Sequence, residues 1–372
     1  MPYPRSVILP LILGALLAGA QPSAVGGAPA RDAEAQGRRS IETLGERVQF
    51  DYRVRRADGD MRTVSFALPA EAYAEARQGL TPLQSDAVKG RLDRQVRRYA
   101  EDSRQTWRAG IRARLEALQG TLPDGIEMTY TLDEQRLSWS LKGQGVTQAQ
   151  VERTGRRLKQ QIRRASARLK QQQRRDLRAY AEGVRDELLA KLNYVRDPNL
   201  GNLIRPDYAA LARGQAGLLQ PMARAIARAA GSRDPRRRID LALALMQQIP
   251  YDELRVRGAT DGTGFAVPAE LLHVNRGDCD SKATALAALM RTLSPEIATA
   301  IVLLPGHAVL AADLPVRPGD RTLELDGRTF VLMEPAGPLR LPVGRIAQGS
   351  HDLLRKQGVA SLVWITGGPQ DA

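Results

Sequence analysis

The chain has 372 residues, 43% of them hydrophobic and 26% charged, with a formal net charge of +14, a single cysteine and three histidines. This length predicts two domains and enough apolar surface to form cores without cross-links. One cysteine excludes an internal disulfide, and with three scattered histidines it gives no metal-ligand spacing. No phosphate loop or dinucleotide fingerprint is present, so neither a metal nor an organic cofactor is expected.

In chain order, residues 1–20 read as a secretory signal peptide. Arg5 supplies the positive start, "SVILPLILGALLAGA" the short apolar stretch, and "AGA" the small-residue cleavage pattern. An uncleaved N-terminal anchor is the alternative. Residues 21–40 read as a flexible leader. The chain is therefore expected to be exported, most plausibly to a periplasm. "RVQFDYRVRRADGDMRTVSFAL" alternates and breaks at Asp58-Gly59, which predicts a β-hairpin. From about Pro82 to Gly120 the apolar spacing turns helical, "GIEMTYTLDEQRLSWSLKG" predicts a second hairpin, and a second long helix is predicted from about Thr147 to Asn193. The two long helices suggest coiled-coil pairing. "LDRQVRR" and "LKQQIRR", at Leu92 and Leu158, hint at a duplicated ββα unit.

Residues 153–178 of the second long helix carry a run of arginines and lysines opposed by Asp176 alone. Such a run reads first as a solvated helix face, with an anionic envelope polymer or lipid as the alternative. Nucleic acid is not an expected partner, because export removes it and no recognition motif interrupts the helix. "NYVRDPNLGNLIRPD" breaks the pattern and places a boundary between a hairpin and long-helix domain (41–198) and a C-terminal domain (199–372). In the latter, helices come first and alternating strands afterwards, which predicts an α+β fold with an antiparallel sheet.

"GDCDSKATALAALMRTL" holds the lone Cys279. Gly277 breaks the preceding chain, Asp278 is the candidate N-cap, and the apolar run after Lys282 predicts a helix buried nearly all round. Cys279 then lies in the first turn, where free backbone N–H groups favour a thiolate, although a cationic neighbour is also needed. His273, His307 and His351 are available. His307 opens a strand directly after Pro305-Gly306, and is preferred. "RTLELDGRTFVLMEP" predicts a hairpin whose second strand ends at Glu334, a carboxylate suited to orient the imidazole; Asp313 is the competitor.

"GDCDSKATALAALMRTL", "GHAVLAADL" and "GRTFVLMEP", preceded by "LALMQQIPYDE", resemble the transglutaminase-like cysteine enzyme superfamily, which shares the papain-type core. The resemblance covers roughly residues 205–366. It implies Cys279 as nucleophile and His307 as general base and acid. The third position, usually Asp in that family, is Glu334 here. One oxyanion hydrogen bond would come from the backbone N–H of Cys279 and another from Gln247 or Tyr251. Asp278 and Asp280 would cap the helix and shape the loop. The implied activity is acyl transfer through a thioester on an amide of an envelope protein or peptide, as a peptidase, amidase or transglutaminase. The alternatives are a catalytically inactive scaffold or binding module, and a wall-associated structural protein.

Overall fold

The computed structural model describes residues 39–80, 83, 86–133, 136–254 and 264–368. The predicted signal peptide and all but the end of the predicted leader lie outside the described residues. Strands β1 (Arg39–Leu44), β2 (Arg47–Arg55) and β3 (Met61–Pro69) come first, then helices α1 (Ala70–Arg77) and α2 (Asp86–Gln119). Strands β4 (Ile126–Leu132) and β5 (Leu137–Gly143) precede the long helix α3 (Gln148–Lys191). A short hairpin of β6 (Tyr194–Asp197) and β7 (Leu203–Pro206) leads into helices α4 (Tyr208–Ala216), α5 (Gln220–Ala230), α6 (Pro235–Gln248), α7 (Pro268–Val274) and α8 (Cys279–Leu293). The remaining elements are β8 (Thr299–Leu304), β9 (His307–Ala312), β10 (Thr322–Leu325), β11 (Arg328–Met333), α9 (Gln348–Gln357) and β12 (Ser361–Thr366).

The fold is mixed α+β, and the chain divides into two compact units. One joins Met1–Pro82 to Leu192–Ala372, and the other is Leu83–Lys191. This division differs from the expected boundary at 198. The first hairpin buries its alternate residues Phe50, Tyr52, Val54, Phe66 and Leu68 in the same core as α5, α6 and α8. Period-2 alternation says which face of a strand is buried, but not which distant helix covers it. The two hairpins therefore have different helical partners. The first packs on α5 and α6, and the second on α2 and α3.

In the first unit, a five-stranded antiparallel sheet has the order β10-β11-β9-β8-β12. Strand pleating sends Ile301, Leu303, Ala308, Leu310, Val331 and Met333 to the face covered by α8. Ala300, Val302, Val309, Phe330 and Leu332 point to the opposite face, where Leu353 and Leu354 of α9 pack. Both faces are covered, so these strands read as nearly continuous apolar runs. The turns follow their glycines. Gly306 (φ +71°) joins β8 to β9, and Asp326-Gly327, both at positive φ, join β10 to β11.

The second unit is a helical hairpin. Helices α2 and α3 pair along a stripe that includes Ile111, Leu115, Leu158 and Ile162, and β4–β5 contribute Met128. The rings of Tyr99 and Tyr180 stack at 4.0 Å between centroids. Most of the arginine-rich face of α3 is exposed. No described helix is long and apolar enough to cross a membrane.

Candidate active site

Helix α8 begins where its sequence predicts. Asp278 is the N-cap, in extended conformation, with its carboxylate accepting the N–H of Ser281 at 3.0 Å. Gly277 packs closely just before it, and a Cβ there would displace the buried side chain of Leu271. The segment is pinned to the end of α6 by a bridge in which Gly277 N–H donates to Pro250 (3.2 Å) and Asp252 N–H donates to Gly277 (3.2 Å). Cys279 opens the helix, partly buried. The backbone N–H groups of Ala308 and Asp280 lie close enough to its sulfur to act against a rise in its pKa. The nucleophile candidate therefore lies near the start of β9, by the residue that follows His307.

His307 is the first residue of β9, with its side chain 20% exposed, and its Nε2 lies 2.8 Å from Oε1 of Glu334. Glu334 ends β11 and is buried. Its second oxygen, Oε2, accepts the hydroxyl of Ser350 at 2.5 Å and the N–H of Ala347 at 3.3 Å. Burial alone would push this carboxyl up, but the bonds from His307, Ser350 and Ala347 outweigh it and hold the group below the usual carboxylate range. An ionised Glu334 can only accept, so it places a proton on Nε2 and leaves Nδ1 as the basic nitrogen. The longer glutamate thus reaches the imidazole, and the first turn of α9 holds it there.

The sulfur differs from expectation. Burial raises the Cys279 thiol well above its ordinary range, and the charge of Asp280 raises it further; the two N–H groups oppose this without overcoming it. The helix N-terminus contributes only about 0.3–1 kcal/mol, which burial between two carboxyl groups exceeds. The resting sulfur is a thiol. Asp278 is itself pushed up to about 9 by burial and by Asp280, so it keeps its proton at neutral pH. Asp280 accepts the buried hydroxyl of Tyr208 at 2.5 Å. Both aspartates therefore serve the architecture of the turn.

Of the two residues considered for an oxyanion hole, Gln247 is fully engaged elsewhere. Its amide donates to the carbonyls of Glu334 and Leu341, each at 2.9 Å, and accepts the N–H of Leu341 at 3.1 Å. It ties α6 to the end of β11. Tyr251 is half exposed, and burial of part of the ring raises its hydroxyl, so it stays a donor. His273 packs near Tyr73, with its carbonyl accepting Arg39, and Asp313 pairs with Arg328 at 3.2 Å. Neither joins the His307–Glu334 pair. His351 lies on α9.

Sequence reasoning missed two supports. Lys282 is fully buried, and its ammonium donates to the carbonyls of Ile249 (2.5 Å) and Ala336 (2.6 Å). Those carbonyls flank Tyr251 on one side of the site and Glu334 on the other. Burial lowers the lysine to about 8. A cation inside a helix apolar all round was the available signal. Ser350 gave none, because a serine in a short amphipathic helix is unremarkable until Glu334 is seen beneath it.

Among the described residues no cluster of His, Cys, Asp or Glu could hold a metal ion. Comparison of the chain with protein-family models, curated proteins and solved structures found no match.

Proposed function

We propose that the chain is an exported thiol-dependent acyl-transfer enzyme with a transglutaminase-like, papain-type C-terminal domain, acting on amide bonds of an envelope protein or peptide. The observation that carries this reading is the 2.8 Å bond between a buried Glu334 and Nε2 of His307, one residue from Ala308, whose N–H acts to lower the pKa of Cys279. In the proposed reaction, Nδ1 of His307 takes the thiol proton as sulfur attacks the amide carbonyl. The carbonyl π pair becomes an oxyanion, held by the Cys279 N–H and the Tyr251 hydroxyl. A well-aimed donor of this kind contributes roughly 3–4 kcal/mol. The oxyanion collapses, the C–N bond breaks, and His307 returns its proton to the leaving amine. Water or a second amine then attacks the thioester, giving hydrolysis or cross-linking. A resting thiol fits this scheme, because the imidazole removes the proton during attack rather than beforehand.

The test is a panel of glutaminyl and peptide amides, offered with and without a primary amine and followed by mass spectrometry of the Cys279 peptide. An acyl adduct on the wild type, absent from Cys279→Ser and from His307→Ala, supports the reading. No adduct across the panel, or one untouched by His307→Ala, overturns it. A catalytically inactive scaffold is the second reading, favoured by the upward push on the thiol. It predicts alkylation of Cys279 by iodoacetamide that is negligible at neutral pH and the same in His307→Ala, whereas the enzyme reading predicts alkylation that slows in His307→Ala and that a bound substrate analogue blocks. For the exposed basic stretch 153–178 we propose an anionic lipid or polymer of the envelope as partner, bound through screened charge.

A further inference from the structure

Lys282 sits at the site, yet the proposed reaction leaves it idle. It follows Cys279 by three residues in α8, so the two side chains leave one face of the helix within a turn. Its side chain is fully buried, and its ammonium meets two neutral acceptors, the carbonyls of Ile249 and Ala336. Among the described residues it forms no ion pair. Asp278, at the head of the same turn, keeps its proton at neutral pH and supplies no counter-charge. The other ionisable groups around the sulfur are Asp280, whose charge opposes a thiolate, Tyr251 beyond α6, and the His307–Glu334 pair of β9 and β11. Arg276, three residues before Cys279, is exposed and pairs with Asp252 at 3.5 Å.

We propose that Lys282 is a positioning residue of this site, whose buried ammonium is the standing counter-charge for the Cys279 thiolate that forms as His307 takes its proton. A buried ammonium with no counter-ion is costly. Tying two loops does not require the charge, because a neutral amide can donate to the same carbonyls. Burial lowers the group only to about 8, so it is still charged at neutral pH. A fixed positive charge in a water-poor site is worth most to an anion that develops beside it, and costs no rearrangement at that moment. It also opposes Asp280, which keeps the resting sulfur a thiol. The inference rests on the acyl-transfer reading for its purpose, but its test needs no turnover.

The rate of Cys279 alkylation by iodoacetamide at neutral pH, read by mass spectrometry on the full chain, follows the thiolate fraction. Lys282→Met removes the charge and the donors, whereas Lys282→Gln removes the charge and keeps two N–H donors. Both should slow alkylation by about tenfold or more, the change that one pKa unit makes in that fraction. Slowing in Lys282→Met alone would leave a clamp without a counter-charge, and rates unchanged or faster in both variants would leave no role; either result overturns the proposal. A reciprocal measurement needs neither the thiol nor a Lys282 variant. With 13C-labelled lysine, the Lys282 ammonium should keep its proton to a pH about one unit higher in Cys279→Asp than in Cys279→Asn, because the aspartate puts a negative charge where the thiolate forms. Equal titration in the two variants overturns the counter-charge. If this shift appears while no acyl adduct forms on Cys279, the acyl-transfer reading fails and the coupling of the two groups stands.

Discussion

Helices α8 and α3 teach by contrast. Helix α8 buries eleven of its fifteen residues, whereas α3 buries five of forty-four. Every polar side chain inside α8 therefore needs a partner, and has one. Ser281 accepts Ala266 N–H, Thr284 donates to the carbonyl of Asp280, and Lys282 donates to two loop carbonyls. The cations of α3 need none, and its exposed pairs, such as Arg156–Glu152 at 3.8 Å, contribute little. Burial converts α8 into a device that fixes positions around Cys279. Exposure leaves α3 a carrier of charge.

The largest expected effects lie at the site. His307→Ala should lower acyl transfer by about a thousandfold or more, and Glu334→Gln by roughly a hundredfold or more. Because the amide can donate to the imidazole and reverse its tautomer, Glu334→Gln should also alter the pH–rate profile. Ser350→Ala should cost less and leave that profile in place. Loss of activity in Glu334→Gln no greater than in Ser350→Ala would break the proposed orienting role.

Core truncations come next. Leu286→Ala in α8 should cost about 3–5 kcal/mol, and Leu158→Ala in α3 about 2–3, because a side chain in a thin stripe leaves a cavity that relaxes more easily. Denaturant midpoints at constant slope measure both, and equal costs would remove the contrast. Lys282→Met keeps volume but leaves the Ile249 and Ala336 carbonyls unpaired, at about 1–3 kcal/mol each. If the loops it ties matter, kcat should fall beyond what the melt explains.

Acid should act mainly on the first unit. Burial raises the carboxyl of Asp197, but Ser361 at 2.7 Å and Arg205 at 2.8 Å outweigh it and lower the folded value. A depressed folded value means the unfolded chain takes up the proton first. The stabilisation is thus complete above the ordinary carboxylate range, near 4, and is lost as pH falls through the folded value. Arg205→Met should flatten that acid dependence, which a melt series from neutral to acid pH would record. The smallest effect is on α3. Tyr99→Ala removes a stacked ring at roughly 1 kcal/mol, and binding of the protein to anionic vesicles should fade with salt while neutral vesicles bind nothing. Salt-insensitive binding would contradict a charge-carrying role.

Much of this was legible from residue order. Asp278 as N-cap, the hairpins turning at Asp58-Gly59 and Asp326-Gly327, and both long helices follow from local spacing and turn chemistry. The choice of His307 and Glu334 needed only that neighbouring strands end at one rim. The ionisation of Cys279 was misread, because the helix N-terminus and the flanking Asp280 are visible in sequence while the burial that outweighs the former is not. The same holds for the first hairpin. Its buried face was clear, and its partners, α5 and α6, lie far along the chain.

The sequence by itself determined the elements, the polarity of their faces and the residue types available for chemistry, because periodicity, capping and turn preference act over a few residues. Only the tertiary structure decided that Ser350 and Ala347 of a later segment hold the Glu334 carboxylate, and that Gln247 and Lys282 fasten loops. Those outcomes depend on burial and on hydrogen bonds between segments distant in sequence, and no short stretch of chain encodes them.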